Sequence, residues 1–147
     1  MWTFEHAETT SATPDQLWAL YVEPTTWPQW DQEIAAVTVQ GPVAVGTRGR
    51  LKPVTGPAAS FTFTEVDPGV GFTNVSRLPL ARLSLAHHIE ATASGSRFTH
   101  HATITGPSSP LFARVLGRSL TSGVPTAMRN LARLAEAADT PSVPPRS

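Results

Sequence analysis

Five histidines are the residues of this 147-residue chain best suited to chemistry near neutral pH: His6, His87, His88, His100 and His101. An imidazole can accept or release a proton at that pH, and it can also hydrogen-bond a ligand carbonyl. Four of them form two adjacent pairs inside segments that alternate bulky and polar residues, which is typical of half-buried strands. The register of these two strands decides which rings look inward.

The dipeptide Ser94-Gly95 predicts a two-residue hairpin turn, with Ala93 paired to Ser96. In that register one apolar face carries Leu83, Leu85, His87, Ile89 and Ala91 opposite Phe98, His100 and Ala102. We therefore expect His87 and His100 to point inward, diagonally placed on neighbouring strands. His88 and His101 should be directly opposed on the outer face, where they meet solvent.

Each inward imidazole has two interpretations. It is a catalytic or ligand-contacting group, or it is a polar core residue satisfied by a neighbour. We take His87 and His100 as the candidate catalytic residues. His88 and His101 could bind a stray metal, but no carboxylate clearly completes a site, so no metal site is predicted.

Further candidates for ligand contact lie on the inward faces of the predicted strands and helices. The predicted ligand-binding set is Trp30, Phe63, Asn74, Ser76, Leu85, Phe98, Leu116, Leu120 and Met128. Bulky strand residues more often fill a core than contact a ligand, and Trp27 is expected mainly to anchor its helix to the sheet. The facing of Arg50 and Glu65 stays open, because the turn at residues 67–70 allows either parity.

The elements that must position these residues follow from periodicity and turn chemistry. A first strand covers Trp2–Thr9, a short helix starts after the cap at Thr13, and a second short helix covers Trp27–Ile34. One long amphipathic helix, bent near Pro125, covers Pro110–Ala138. Between the helices we predict six strands: Ala36–Gln40, Thr47–Pro53, Ser60–Val66, Gly71–Leu78, Arg82–Thr92 and Arg97–Thr105.

These elements predict an α+β fold in which a seven-stranded curved antiparallel sheet wraps around a long C-terminal helix, with two short helices after the first strand. Connections of hairpin length make the sheet antiparallel. Because the sheet curves around one helix, the space between them is expected to hold a cavity. We expect a single domain over residues 1–138 and a disordered tail over residues 139–147.

Composition limits the partners. The 11 basic residues balance the 11 acidic ones, so no broad electrostatic field attracts nucleic acid, and this neutrality permits a homodimer.

The chain has no cysteine, which excludes thiolate catalysis and disulfides. It shows no leader peptide and no long apolar stretch, so we expect a cytoplasmic protein without stable membrane insertion. No phosphate-binding glycine loop or serine nucleophile motif is present, and no cofactor is expected.

The order of elements and residues Ala12–Asp31 resemble the SRPBCC superfamily, the START-like and birch-pollen-allergen-like helix-grip fold. The most similar group is the polyketide cyclase/dehydrase and lipid transport family. Phe61–Pro68 fits its central strand and turn, Gly95–His100 its last strand, and residues 105–107 the entry to its helix. The resemblance implies a hydrophobic ligand cavity; catalytic residues differ between branches of the family, and none is carried over.

Three functions follow as hypotheses. The first is an enzyme of cyclase or dehydratase type that folds a polyketide-like substrate in a dry cavity, where proximity does much of the work. The alternative is a non-catalytic carrier or sensor of a lipid-like or aromatic small molecule. A third, a subunit acting through protein contacts, would be favoured if the cavity were filled by side chains.

Overall fold

The computed structural model describes residues 1–139. The predicted fold class is confirmed: a seven-stranded antiparallel sheet curls around one long helix. The predicted disordered tail lies outside the described residues, except for Asp139. The elements in chain order are β1 (Trp2–Thr10), α1 (Pro14–Tyr21), a 3₁₀ turn (Pro24–Thr26), α2 (Trp27–Trp30), β2 (Ile34–Val39), β3 (Arg48–Pro53), β4 (Ala59–Asp67), β5 (Gly71–Leu78), β6 (Ala81–Thr92), β7 (Gly95–Thr105) and α3 (Ser109–Asp139).

Helix α1 begins at a capping box. The Thr13 hydroxyl accepts from the Gln16 N–H at 3.2 Å, and the Gln16 carbonyl oxygen accepts from the Thr13 N–H at 2.7 Å. These bonds satisfy two backbone donors at the start of the helix. The helix then buries Leu17 and Tyr21 against the sheet.

Helix α2 is shorter than predicted: it ends at Trp30, and β2 already starts at Ile34. The cause is Asp31, whose backbone is extended and whose Oδ1 accepts from the Glu33 N–H at 3.0 Å. Such a side chain competes with the helix for backbone donors and ends it. The sequence prediction of a helix to Ile34 was therefore wrong.

The strands follow the order β1-β7-β6-β5-β4-β3-β2, so all neighbours other than β1 and β7 are consecutive in the chain. The β6–β7 hairpin differs from its prediction: Thr92 pairs with Gly95, and Ala93 and Ser94 form the turn. Each residue of β6 thus faces a partner two positions earlier in β7 than predicted. A shift of two keeps every side chain on its predicted face.

The physical reason for the shift is the role of Gly95. Its φ is +152°, and a Cβ there would lie 2.0 Å from the carbonyl oxygen of Thr10. The glycine is therefore required for close approach to the end of β1 and belongs to β7. A glycine beside a serine is also an ordinary turn signal, and for that reason the sequence prediction placed Gly95 in the turn.

Strand β4 contains a bulge between Phe63 and Glu65. The extra residue resets the alternation, so that Phe61, Phe63 and Val66 turn toward the interior. Glu65 is exposed, as is Arg50 on β3. These two polar residues, whose facing the sequence left open, therefore lie in solvent.

Helix α3 covers the inner face of the sheet. Two of its glycines lie close to side chains of neighbouring elements, which leaves little room for larger residues there. A Cβ at Gly117 would meet the Trp2 ring at 3.6 Å, and one at Gly123 would meet the Glu33 side chain at 3.2 Å. The Asn130 amide donates to the Trp30 carbonyl at 3.2 Å, which joins α3 to the end of α2. Pro125 lies inside the helix, and the bend expected there stays a prediction.

The core between α3 and the sheet is largely aromatic. Trp27 stacks on Phe61 and Phe72, with ring centroids 6.1 Å and 5.9 Å away, so it does anchor α2 to the sheet. Met128 and Leu131 of α3 are fully buried against this cluster. Across residues 1–139, no helix combines the length and the hydropathy needed to cross a membrane.

Candidate functional site

The inner face of the sheet carries a row of rings on four neighbouring strands. The register pairs His6 with His100, His100 with His87, and His87 with Phe72. Directly opposed residues of antiparallel strands point to the same face. The two candidate catalytic histidines are thus in contact, with ring centroids 4.4 Å apart, and not diagonal as predicted.

The outer pair predicted from the sequence does not form. His88 pairs with Thr99, and His101 pairs with Ala86. Both histidines are exposed, as expected, but the predicted direct opposition was wrong. Among the described residues, no group of three or more histidine, aspartate or glutamate side chains is placed to hold a metal ion.

His87 is held in one tautomer. Its Nδ1 lies 3.2 Å from the carbonyl oxygen of Phe72, and because a carbonyl only accepts, Nδ1 carries the proton. The ring also stacks on the Phe72 ring at 4.0 Å. Burial lowers the pKa of His87 to about 4, although the Phe72 carbonyl opposes that shift. At neutral pH the ring is uncharged, and Nε2 offers a lone pair.

His100 is bound to α1 through Tyr21, whose hydroxyl oxygen lies 2.7 Å from His100 Nε2. Burial is the main cause of a lowered pKa for His100, and the neighbouring His87 and His6 add to it. Burial also raises the pKa of Tyr21, so its hydroxyl stays protonated. The Tyr21–His100 pair is therefore a neutral, satisfied hydrogen bond in the core.

A cavity of about 100 Å³ lies between these rings and α3. Its buried lining residues are Trp27, Trp30, Phe72, Asn74, His100 and Ala102. Its half-buried lining residues are Asp31, Ile34, Leu51, Leu85, Ala86, His87, Leu120 and Val124. The exposed His101 also borders it. We call the half-buried lining residues that lie outside β5, β6 and β7 the mouth; they are Asp31, directly after α2, and Ile34, Leu51, Leu120 and Val124 of β2, β3 and α3.

The predicted ligand-binding residues divide into two sets. Those that line the cavity are Trp30, Asn74, Leu85 and Leu120, together with the candidate catalytic residues His87 and His100. Those that do not line it are Phe63, Ser76, Phe98, Leu116 and Met128. Phe63, Phe98 and Met128 are fully buried core residues, whereas Ser76 and Leu116 are half-buried elsewhere. Ligand contact by either set stays a prediction.

Asn74 is the polar side chain that best fits a ligand contact. It is 6% exposed and lines the cavity, and its side chain makes no hydrogen bond within residues 1–139. Among the described residues, Trp30 Nε1 is the one side-chain nitrogen or oxygen that is both fully enclosed and without a partner. The polar atoms of Asn74 also lack a partner, but they are not fully enclosed. The Asn74 amide therefore keeps contact with the cavity space. A buried amide without a partner is costly unless a ligand or water satisfies it.

Asp31 is the acidic residue at the mouth. Burial raises the pKa of its carboxyl to about 6; the Glu33 N–H opposes this shift, and the Glu33 carboxylate adds to it. Among the described residues no basic group forms an ion pair with it. A carboxyl that titrates near neutral pH in an apolar cavity wall is a common feature of functional sites.

Sequence reasoning missed both Tyr21 and Asp31 as site residues. Tyr21 was assigned to the apolar stripe of α1, and nothing in the sequence shows that its hydroxyl reaches a histidine 79 residues away. Asp31 had a usable signal: it directly follows Trp30 at the end of a short aromatic helix. An acidic residue in such apolar surroundings is a candidate for a raised pKa.

Residues 1–136 match the sequence profile of the family described as polyketide cyclase / dehydrase and lipid transport. The chain belongs to this family. The SRPBCC resemblance stated from the sequence is confirmed, and the apolar inner surface with its cavity is that of a hydrophobic-ligand-binding fold. A search of curated proteins finds no match.

Solved structures share the fold at low sequence identity. The protein MLL2253 from Mesorhizobium loti is 19% identical with a TM-score of 0.75, and the match covers 94% of this chain and 99% of that one. Ara h 8.0201 is 14% identical with a TM-score of 0.74, over 92% of this chain and 98% of that one. The di-domain ARO/CYC StfQ from the steffimycin biosynthetic pathway is 18% identical with a TM-score of 0.75, over 93% of this chain and 51% of that one.

Proposed function

We propose that the protein binds a small hydrophobic metabolite in the cavity and converts it, as a cyclase or dehydratase-type enzyme acting on a polyketide-like substrate. The observation that carries this proposal is the state of His87. Its Nε2 lone pair lies on an uncharged ring that lines an otherwise largely apolar cavity. Such a nitrogen can accept a hydrogen bond, or a proton, from a bound hydroxyl or an acidic carbon.

The remaining geometry supports orientation of one small ligand. Asn74 supplies an amide that can both donate and accept, on the strand next to His87. Its register partner is Leu85, two residues from His87, so the two polar side chains lie diagonally, on the order of 7–8 Å between Cα atoms. Two polar groups in an apolar cavity are sufficient to favour one orientation of a ligand.

A non-catalytic carrier or sensor is the second candidate, and one observation favours it. The pKa of His87 near 4 makes the ring a weak base at neutral pH, better suited to accept a hydrogen bond than a proton. A carrier would use His87 and Asn74 for selectivity alone. The two candidates share the cavity and differ in turnover.

The test begins with native mass spectrometry of protein purified from its own host, to identify the molecule that co-purifies. That molecule is then incubated with fresh protein, and its chemical conversion is followed by chromatography. Binding with conversion supports the enzyme, and binding without conversion supports the carrier. If no small molecule is bound, the proposed function is wrong in both forms.

The His87→Phe variant identifies the residue involved. Phenylalanine keeps the stack on Phe72 but removes the nitrogen, so an enzyme should lose turnover while binding weakens only about tenfold, the value of one hydrogen bond of about 1.4 kcal/mol. His88→Phe is the matched control, because the neighbouring residue on the same strand is exposed. Equal turnover in both variants would remove His87 from the mechanism.

A further inference from the structure

We propose that Asp31, at the mouth of the cavity, is the group that exchanges a proton with the bound molecule, and that the molecule it acts on is an enolisable ketone. This inference rests on the proposed function, whose polyketide-like substrate carries enolisable ketones, and adds the residue that moves the proton. The first support is position. Asp31 lines the same cavity as His87 and Asn74 but comes from a different part of the fold, directly after α2.

The carboxyl group is held in a fixed orientation with one oxygen available. The Asp31 N–H donates to the Trp27 carbonyl at 2.8 Å, and Oδ1 accepts from the Glu33 N–H at 3.0 Å. Trp30, the residue before it, is fixed to α3 through Asn130. Within residues 1–139 Oδ2 has no hydrogen-bond partner and no cation, so it is available to a ligand.

The surroundings tune the carboxyl for proton transfer at neutral pH. The α3 residues that line the mouth beside it, Leu120 and Val124, are apolar. The nearby charge is the carboxylate of Glu33, which raises the pKa further. The ionisable groups on the facing strands are His87 and His100, both uncharged at neutral pH because burial lowers their pKa, and His101, whose side chain is exposed.

Among the buried groups around the cavity, the Asp31 carboxyl titrates nearest to neutrality. With a pKa of about 6 it is mostly ionised at pH 7 and still a stronger base than His87, whose pKa is about 4. Proton transfer is most efficient when the pKa of the catalytic group lies near the working pH. The geometry therefore favours Asp31 as the base and leaves His87 and Asn74 to orient the ligand.

The proposed step moves one proton and keeps the electron count. Asp31 Oδ2 takes a proton from the carbon next to the ketone, and the electron pair of that C–H bond becomes the carbon–carbon double bond of an enolate. The carbonyl oxygen gains the negative charge and accepts a hydrogen bond from the Asn74 amide. Return of a proton from Asp31 to the carbon regenerates the ketone, and no further reactant is needed.

The test uses 2-indanone, a flat ketone with acidic benzylic protons. Exchange of these protons for deuterium in D₂O is followed by NMR, and binding is measured separately by quenching of tryptophan fluorescence, to which Trp27 and Trp30 in the cavity lining contribute. We expect the protein to accelerate exchange, with a rate that rises through about pH 6. Asp31→Asn should lower the protein-catalysed rate about 100-fold or more while the Kd changes less than about threefold, and it should abolish the pH dependence.

Glu65→Gln is the matched control, because it removes an exposed carboxylate that does not line the cavity, and it should exchange like the unmodified protein. Equal exchange by Asp31→Asn and the unmodified protein would overturn the inference, as would binding without accelerated exchange. Absence of 2-indanone binding would also overturn it, because the site would not admit an enolisable ketone. The proposed function is judged separately by the co-purified molecule.

Discussion

Replacement of His87 by Phe should make folding stability less sensitive to acid. The unfolded chain binds a proton at His87 with a pKa near 6.5, whereas burial lowers that pKa to about 4 in the folded protein. Between these values the unfolded state binds more protons than the folded state, so stability falls as pH falls. The contribution of His87 is complete above pH 6.5 and is lost progressively toward pH 4.

The magnitude follows from the two pKa values. A pKa difference of about 2.5 between the unfolded and folded states corresponds to about 3 kcal/mol of folding stability at full effect. About 2 kcal/mol of that stability is lost between pH 7 and pH 5. His100 contributes in the same direction, because its pKa is also lowered, but it is present in both proteins. Asp31 acts with the opposite sign, since its pKa is raised and its protonation stabilises the folded state.

The assay is urea denaturation at pH 7 and pH 5, with the free energy of unfolding extrapolated to zero urea. The loss between the two pH values should be about 2 kcal/mol smaller for His87→Phe than for the unmodified protein. His88→Phe, which changes an exposed ring, should keep the full loss. If His87→Phe loses as much as the unmodified protein, then the folded protein does not hold His87 as a neutral ring at pH 5.

Four further substitutions, one of them with a matched comparison variant, test other parts of the structure by the same measurement. Asp31→Asn should raise the free energy of unfolding at pH 7 by about 1–2 kcal/mol, because it removes a partly buried charge; no gain would contradict the raised pKa. Gly95→Ala should cost about 3 kcal/mol or more, since its Cβ would overlap a carbonyl oxygen, whereas Gly46→Ala, with φ +91° and open space, should cost only about 1 kcal/mol. Leu80→Gly should gain about 1 kcal/mol, because the exposed leucine has a φ of +56°. Thr13→Ala should cost about 1 kcal/mol through loss of the cap of α1.

The fold could be predicted because its signals are local. Alternation in β6 and β7, the cap at Thr13 and the three-to-four spacing in α3 each depend on a few adjacent residues, and short connections leave an antiparallel sheet as the simple solution. The details predicted wrongly are the end of α2 and the register of the β6–β7 hairpin, each of which depends on a single side-chain or backbone contact. Asp31 ends α2 through its own hydrogen bond, and Gly95 is required by a strand distant in sequence.

The sequence predicts which side chains of the candidate site point inward, but it does not predict which of them contact each other. A register error of two residues preserves the face of every side chain, so His87 and His100 were correctly placed inward despite the wrong pairing. The same error cannot preserve neighbours, and direct contact of the two rings was missed. The bond from Tyr21 to His100 joins α1 to β7 and depends on how the helix packs across the sheet, which periodicity does not specify.

The electrostatics of the cavity limit what it can bind. Tyr21, His87 and His100 are all uncharged at neutral pH. Ionising any of them to pair with a charged ligand would cost free energy, because their burial disfavours the charged form. An anionic ligand buried beside them would meet no basic side chain that is charged at neutral pH among the described lining residues, and at the mouth it would meet the carboxyl of Asp31. An anion is therefore disfavoured throughout, whereas a neutral molecule loses little on entry. Selectivity against a negatively charged ligand follows from the same burial that keeps the two histidines neutral.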